Sequence, residues 1–571
     1  MKKNIFISSI FGVSALTAFA QDATPTYDLY YDKVISDTAP QAEYISGYTG
    51  TKTFTKTVDG VVVTEETEEV SQEGISYKYK DAEGNEQTYT GALGANTDVN
   101  LNVTIAEGTD VSLYNNKTLF KVNETNASKN ITGGTEKTVY NIPALTLGNL
   151  TFNIDSKTGN SATFKLLEPY SNPLTLESFN INLTTATTTN SIAFDVNTGT
   201  NYPLAVNKDV IVTYDSDSVI LHNMALNFKY CSQMTVGGDF IVSNKTGKVE
   251  LDIGSMGASW SSKGFVVEGV LSLNSKAGTK SYLKIATGNW SGTRRTLGGL
   301  DVAHDGVLLF AVQSGSAYNG ENGRVVNLTF TNSDSHEFVG SIAQTANSSG
   351  HKFNITMNAA DAANGRQILR FSEYIDAETS YKDAGDLFNN IIVNSGRLDI
   401  GMHANGMYAK SFALNGVDAT FSSTSTVANE EIGMSTFGVA TLTKGTLVFD
   451  YSIDANDSIA INDALTVANA SDITITLQEI DGSDIKTWLQ DEGMDSFSFD
   501  ILSFESTNLT EESIADINVV SSNGMDAVLS AIKTDGVITG IQATIAVPEP
   551  ATVAGIFGLF ALAFVAYRRR K

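Results

Sequence analysis

The chain holds one cysteine, Cys231, so no disulfide can form within it, and beside Tyr230 it reads as a small buried side chain. Proline is also scarce: there are eight, and none lies between Pro203 and Pro548. So long a stretch without proline suits ladders in which every backbone N–H is wanted. Charge is thin, at 18% of residues, and positive charge is thinnest, with 37 basic against 64 acidic residues among 571 and a net charge of −27. Six of the basic residues stand at the two ends, which leaves the interior more acidic than the total suggests. Such a surface repels phosphate backbones and argues against nucleic acid as a partner. The five histidines, His222, His304, His336, His351 and His403, are scattered without metal-ligand spacing. No nucleophile elbow, P-loop or dinucleotide fingerprint is present. No catalytic residue, metal ligand or cofactor is therefore expected.

What is abundant is the vocabulary of strands and turns: 48 Gly, 21 Tyr and 28 Phe, with many Ser, Thr and Asn. That composition predicts an all-β chain.

The front end has three ordered features: Lys2 and Lys3, an apolar run from Ile5 to Ala15, and Ala18-Phe19-Ala20 before Gln21. They predict a signal peptide over 1–20, cut by signal peptidase between Ala20 and Gln21, and hence export. The back end carries Val547-Pro548-Glu549-Pro550 and then a charge-free run, 551–567, closed by Arg568, Arg569, Arg570 and Lys571. Two prolines around Glu549 hold that backbone extended. Seventeen apolar residues at a helical rise cover about 25 Å, near the lower limit for a transmembrane helix. The terminal cations would stay on the cytoplasmic side and leave the acidic body outside.

The three-part tail over 547–571 resembles the PEP-CTERM sorting signal of Gram-negative bacteria. The resemblance implies an exosortase-type processing enzyme as partner, a membrane tether before processing, and delivery to the cell envelope, outer surface or medium. It also implies association with exopolysaccharide, but no enzymatic activity, because such tags are appended to unrelated bodies. A plain anchor that is never processed is the alternative for the tail.

Residues 21–140 read as an N-terminal β region, with a hairpin formed by Tyr77, Tyr79 and Tyr89 around Ala82-Glu83-Gly84-Asn85. The acidic run Glu65, Glu66, Glu68 and Glu69 reads as a solvated edge. Over 141–480 a short pattern recurs, in LTLGNLTF (145–152), VVEGVLSL (266–273), AHDGVLLF (303–310), VNSGRLDI (393–400) and LTKGTLVF (442–449), with looser copies around Gly247 and Gly416. Each copy places a Gly where a positive φ is expected and follows it with alternating residues that share one face. Asn394, Asn415, Asn462 and Asp463 are expected at strand ends. One unit cannot bury its own apolar face, but a stack can.

The pattern resembles the strand repeats of parallel β-helix passenger regions in autotransporter-type surface proteins. That resemblance implies an elongated β-solenoid, a right-handed parallel β-helix-like body; several antiparallel β-sandwich domains are the alternative. Residues 481–546 read as a C-terminal β cap, with a short helix over 484–493 that faces Ile485, Trp488 and Leu489 inward.

Two further groups bear on binding. Asp454, Asn456 and Asp457, and Asp215 with Asp217, are turn residues that could also gather a calcium ion. Trp260, Trp290 and Trp488 could stack on sugar rings. The resulting expectation is a non-catalytic surface or matrix protein of structural or adhesive type, with a polysaccharide lyase or hydrolase on a β-helix as the rival.

Overall fold

A computed structural model describes residues 28–547, except for 37–40, 60, 115–116, 123–126, 132–133, 142–143, 158–161, 169–173, 186–191, 197–202, 215–223, 229–232, 254–263, 288–292, 312–324, 345–351, 375–381, 384–387, 403–408, 429 and 481–482. The chain is all-β, and most strands join one large, mostly parallel sheet. This pairing is not the antiparallel pairing that the sandwich alternative requires.

Alternation makes these segments strands, and parallel pairing puts their inward residues in columns. In one ladder Val99, Leu150, Phe179, Val210, Phe240, Leu271 and Leu300 are successive partners. From Leu150 onward the offset stays at about thirty residues. A second ladder aligns Leu174, Leu204, Met234, Phe265 and then Arg295. A third aligns Leu251, Leu283, Leu308 and Ile342. Every apolar member of these columns is essentially inaccessible to water. Aromatic residues meet across rungs, as Phe152 with Phe179 (5.9 Å between ring centroids) and Phe412 with Phe437 (4.7 Å, stacked).

Long strands follow Phe388, as Thr293–Ala311 does earlier. Phe388–Met402, Ala409–Ser423 and Met434–Tyr451 each contribute to two ladders in turn, with shifts of register between. Asn394 and Asn415 lie inside these strands rather than at their ends, and so do Asn462 and Asp463 in Ser458–Val467. They stand at or beside the register shifts, where one ladder hands over to the next. Turn-type residues thus mark bends within continuous strands.

The recurring glycines also depart from expectation. Gly396 (φ 74°) and Gly445 (φ 130°) have the expected positive φ, whereas Gly148, Gly269 and Gly306 do not, nor do Gly247 and Gly416. At Gly148 and Gly269 the reason for glycine is a neighbour. A Cβ would stand 2.2 Å from an oxygen of Asp98 or Asp239, each on the preceding rung.

Those carboxylates and two others play one part at four corners. Asp98 accepts the N–H of Asn149 (2.7 Å), Asp209 that of Asp239 (2.8 Å), Asp239 that of Val270 (2.9 Å) and Asp301 that of Glu337 (3.0 Å). In each case aspartate and donor stand one residue before a register pair, namely Val99 with Leu150, Val210 with Phe240, Phe240 with Leu271 and Val302 with Phe338. Each bond satisfies an amide at a corner.

Arg295 occupies a core column and is 1% exposed. Its guanidinium donates to the carbonyls of Arg294 (2.9 Å), Ile253 (2.9 Å) and Ile285 (3.3 Å). Burial lowers its pKa to about 10, so it remains charged at neutral pH.

Outside the main sheet, Val61–Gln72, Tyr48–Val58, Gly134–Asn141 and Ala127–Ile131 form a four-stranded antiparallel sheet in that spatial order. Glu65, Glu66, Glu68 and Glu69 lie on its edge strand, as the sequence suggests. The Tyr77–Lys80 and Glu86–Tyr89 hairpin is present, with Tyr77 opposite Tyr89 and Gly84 at φ 85°.

Two substitutions test this packing. Gly269→Ala should cost about 1–3 kcal/mol through the clash with Asp239. Phe240→Ala should cost about 3–5 kcal/mol. Urea midpoints of the purified body measure both, and unchanged midpoints would contradict this strand register.

Candidate functional site

Parallel pairing ends with Asn518–Ser521, and the chain closes in antiparallel strands. Before that close, the helix Ile485–Glu492 is capped by Asp484, which accepts from Thr487 N (2.9 Å), and by Gly493 at φ 67°. Ile485 and Leu489 are buried, and Trp488 meets Phe497 edge-on at 5.8 Å. Trp488 is thus a packing residue; Trp260 and Trp290 lie outside the described residues. A second helix, Glu511–Ala515, has a capping box built by Thr510 and Ser513, a serine in place of the Glu or Gln that marks such a start in sequence.

The last strand, Val537–Ala546, lies between Ser496–Thr507 and Asp526–Thr534. Ala546 pairs with Ser496 on one side and Asp526 on the other. One residue on, Val547 still donates to the carbonyl of Asp495 (3.1 Å) and packs against the core. Val547 of the tail is therefore held by the fold. Pro548, Glu549, Pro550, the 551–567 run, Arg568, Arg569, Arg570 and Lys571 lie outside the described residues, as do Ala18, Ala20 and Gln21. Among the described residues no helix is long and apolar enough to cross a membrane.

Three aspartates, Asp399, Asp450 and Asp457, are buried in the body. Asp399, 1% exposed, takes Arg366 Nε (2.5 Å) and Arg397 Nε (2.8 Å) on its two oxygens. Asp457 is fully buried and accepts from Gly433 N (2.7 Å) and Asp450 N (3.0 Å). Burial pushes the Asp457 carboxyl up to about 9 against the pull of those two amides. Burial likewise pushes Asp450 up to about 7, with nearby Arg397 opposing. Arg370 fastens the segment that follows Ser423, donating to Ser425 O (2.9 Å) and Glu430 O (2.6 Å). These groups tie neighbouring strands together, with the aspartates buried and Arg366 and Arg397 partly exposed.

The calcium candidates do not converge. Asp454 is exposed and Asp457 is turned inward, while Asn456 spends its amide on the carbonyls of Asp457 (2.7 Å) and Asp500 (2.9 Å). No group of three or more metal-ligating side chains occurs among the described residues, and Asp215 and Asp217 lie outside them. Asp454 and Asp500 border a groove of about 720 Å³ beside Phe497. There Asp500 is tied to Gln542 (2.9 Å). His336 is bonded to Asp301 (3.0 Å), which raises its pKa. The side chain of His304 and all of Cys231, His222, His351 and His403 lie outside the described residues.

The open faces carry amide stacks instead. Asn102, Asn153 and Asn182 form a chain that starts on Asp32, with steps of 2.8, 3.0 and 2.9 Å. Asn327, Asn354, Asn390 and Ser411 form another, with steps of 2.9, 3.0 and 2.6 Å.

The site that the chain does declare is its end. A strand-built body passes without a break into residues 546–571, which match the PEP-CTERM protein-sorting motif. The match supports an exported cell-surface protein sorted through exosortase. No curated protein matches the chain.

A pH experiment probes the buried acids. Asp450 holds its proton to about pH 7 when folded, whereas an unfolded aspartate releases it near pH 3.9. Between those values the native state binds the extra proton, so stability falls as pH rises. Asp450→Asn should flatten that part of the urea-midpoint profile, between about pH 4 and 7. An unaltered slope would contradict the assignment.

Proposed function

We propose that this chain is an exported structural or adhesion-type protein of the cell surface or extracellular matrix, with no catalytic activity. Its body is an elongated β-solenoid that presents side chains in repeating rows. The observation that carries the reading is the sorting motif at 546–571, joined directly to a body whose parallel strands repeat at about thirty residues. Signal peptidase removes 1–20, the run 551–567 holds the chain in the membrane until an exosortase-type enzyme processes the tail, and the body then associates with exopolysaccharide. Support for a non-catalytic body comes from the acid–arginine cluster, whose aspartates face inward, and from outward rows dominated by asparagine, serine and threonine. Amide and hydroxyl rows suit hydrogen bonding to sugar hydroxyls along a chain.

Replacing Pro548-Glu549-Pro550 with three alanines should leave export intact and block tail processing. Mass spectrometry of the C-terminus in envelope and medium fractions reads the result. A mature terminus identical to that of the parent would refute the sorting reading.

A further inference from the structure

No free linker separates the folded body from the sorting tail. The last strand is hydrogen-bonded on both sides up to Ala546, and Val547 N is held by Asp495 O. Only residues 548–550 then precede the apolar run that starts at 551. Three residues span at most about 11 Å when fully extended. Any enzyme that grips the Pro-Glu-Pro segment must therefore work against the folded end of the body.

That end has a definite chemistry. Asp495 and Asp526 flank the departing chain, since Asp526 is the register partner of Ala546 and Asp495 precedes its other partner, Ser496. Both are exposed, with exposed Met494 beside Asp495. No lysine or arginine occurs in 487–500 or 518–532. The rim around the exit is thus acidic over an apolar contact.

We infer that this rim, made by Asp495, Asp526 and Met494 around Val547, is a docking surface for the processing exosortase, which meets it with a positively charged face. The inference rests on the sorting function proposed for the tail, and adds that the enzyme recognises the folded body as well. Rim charges of this kind act mainly on the rate of productive encounter and make it sensitive to salt.

The test follows processing of the full-length protein in its own host by pulse labelling. An eight-residue Gly/Ser spacer inserted after Val547, followed by a repeated Ala-Val before Pro548, frees the tail from the rim and leaves both the body and an unbroken sorting motif in place. Asp495→Lys with Asp526→Lys reverses the rim charge, and the paired Asn variants neutralise it. The spacer and the Lys pair should each slow processing by roughly fivefold or more, and the Asn pair should slow it less. The Lys pair should add nothing when placed in the spacer chain. Processing of the spacer variant at the parental rate or faster would overturn the inference, because the folded end would then be indifferent or an obstacle. So would a Lys pair that is processed normally. If replacing Pro548-Glu549-Pro550 also changed nothing, the sorting reading itself would fail, whereas a block there with normal spacer processing would sink the docking surface alone.

Discussion

Everything in this body depends on parallel strands meeting in register one rung after another. A slip of one residue would turn the column Leu150, Phe179, Val210, Phe240, Leu271 and Leu300 out to water and bring polar neighbours inward. Hydrophobic burial alone tolerates some sliding, because neighbouring columns are chemically alike. The corner aspartates remove that freedom. Each carboxylate meets one amide on the next rung, and where glycine precedes that amide the close approach fits at no other residue type.

The same logic accounts for where charge sits. Arg295 takes a core position because three carbonyls converge on it, and Asp399 is buried between two arginines. Single members of such groups are costly to remove, since each leaves an uncompensated partner. Few of the described charged residues are buried, and negative charge on exposed positions favours solubility and resists edge-to-edge association, as at Glu68 and Glu69 on the edge strand Val61–Gln72.

Much of this was legible in the residues. Strand content, the Tyr77–Tyr89 hairpin, the helix after Asp484 and the sorting motif each had a local signal: alternation, a Gly-Asn turn, apolar residues at helical spacing, and a tripartite tail. What escaped was non-local. Glycines 148 and 269 looked like positive-φ positions because the aspartates that demand them, Asp98 and Asp239, belong to the preceding rung and are distant in the chain. Asn394 and Asn415 looked like strand ends because a bend inside a strand uses the same residue types as a turn. Asp457 looked like a surface turn acid, and only the folding of Ser452 to Asn456 back on Tyr451 shows why it points inward. The repeated aspartate followed by a short apolar run, as in DVIV at 209–212 and DFIV at 239–242, was the available clue to the corners.

For a displayed surface protein, parallel strands that recur at about thirty residues from Leu150 to Leu300 give rows of like side chains, and Val547, held at the end of the last strand, fixes where the tail departs. Spin labels placed at Thr213 and Ser243, in a chain carrying Cys231→Ser, address the register most directly, since these outward residues are register partners on adjacent strands. With strands about 4.8 Å apart, the account requires strong dipolar broadening in the doubly labelled protein. A spectrum equal to the sum of the two single labels would contradict it.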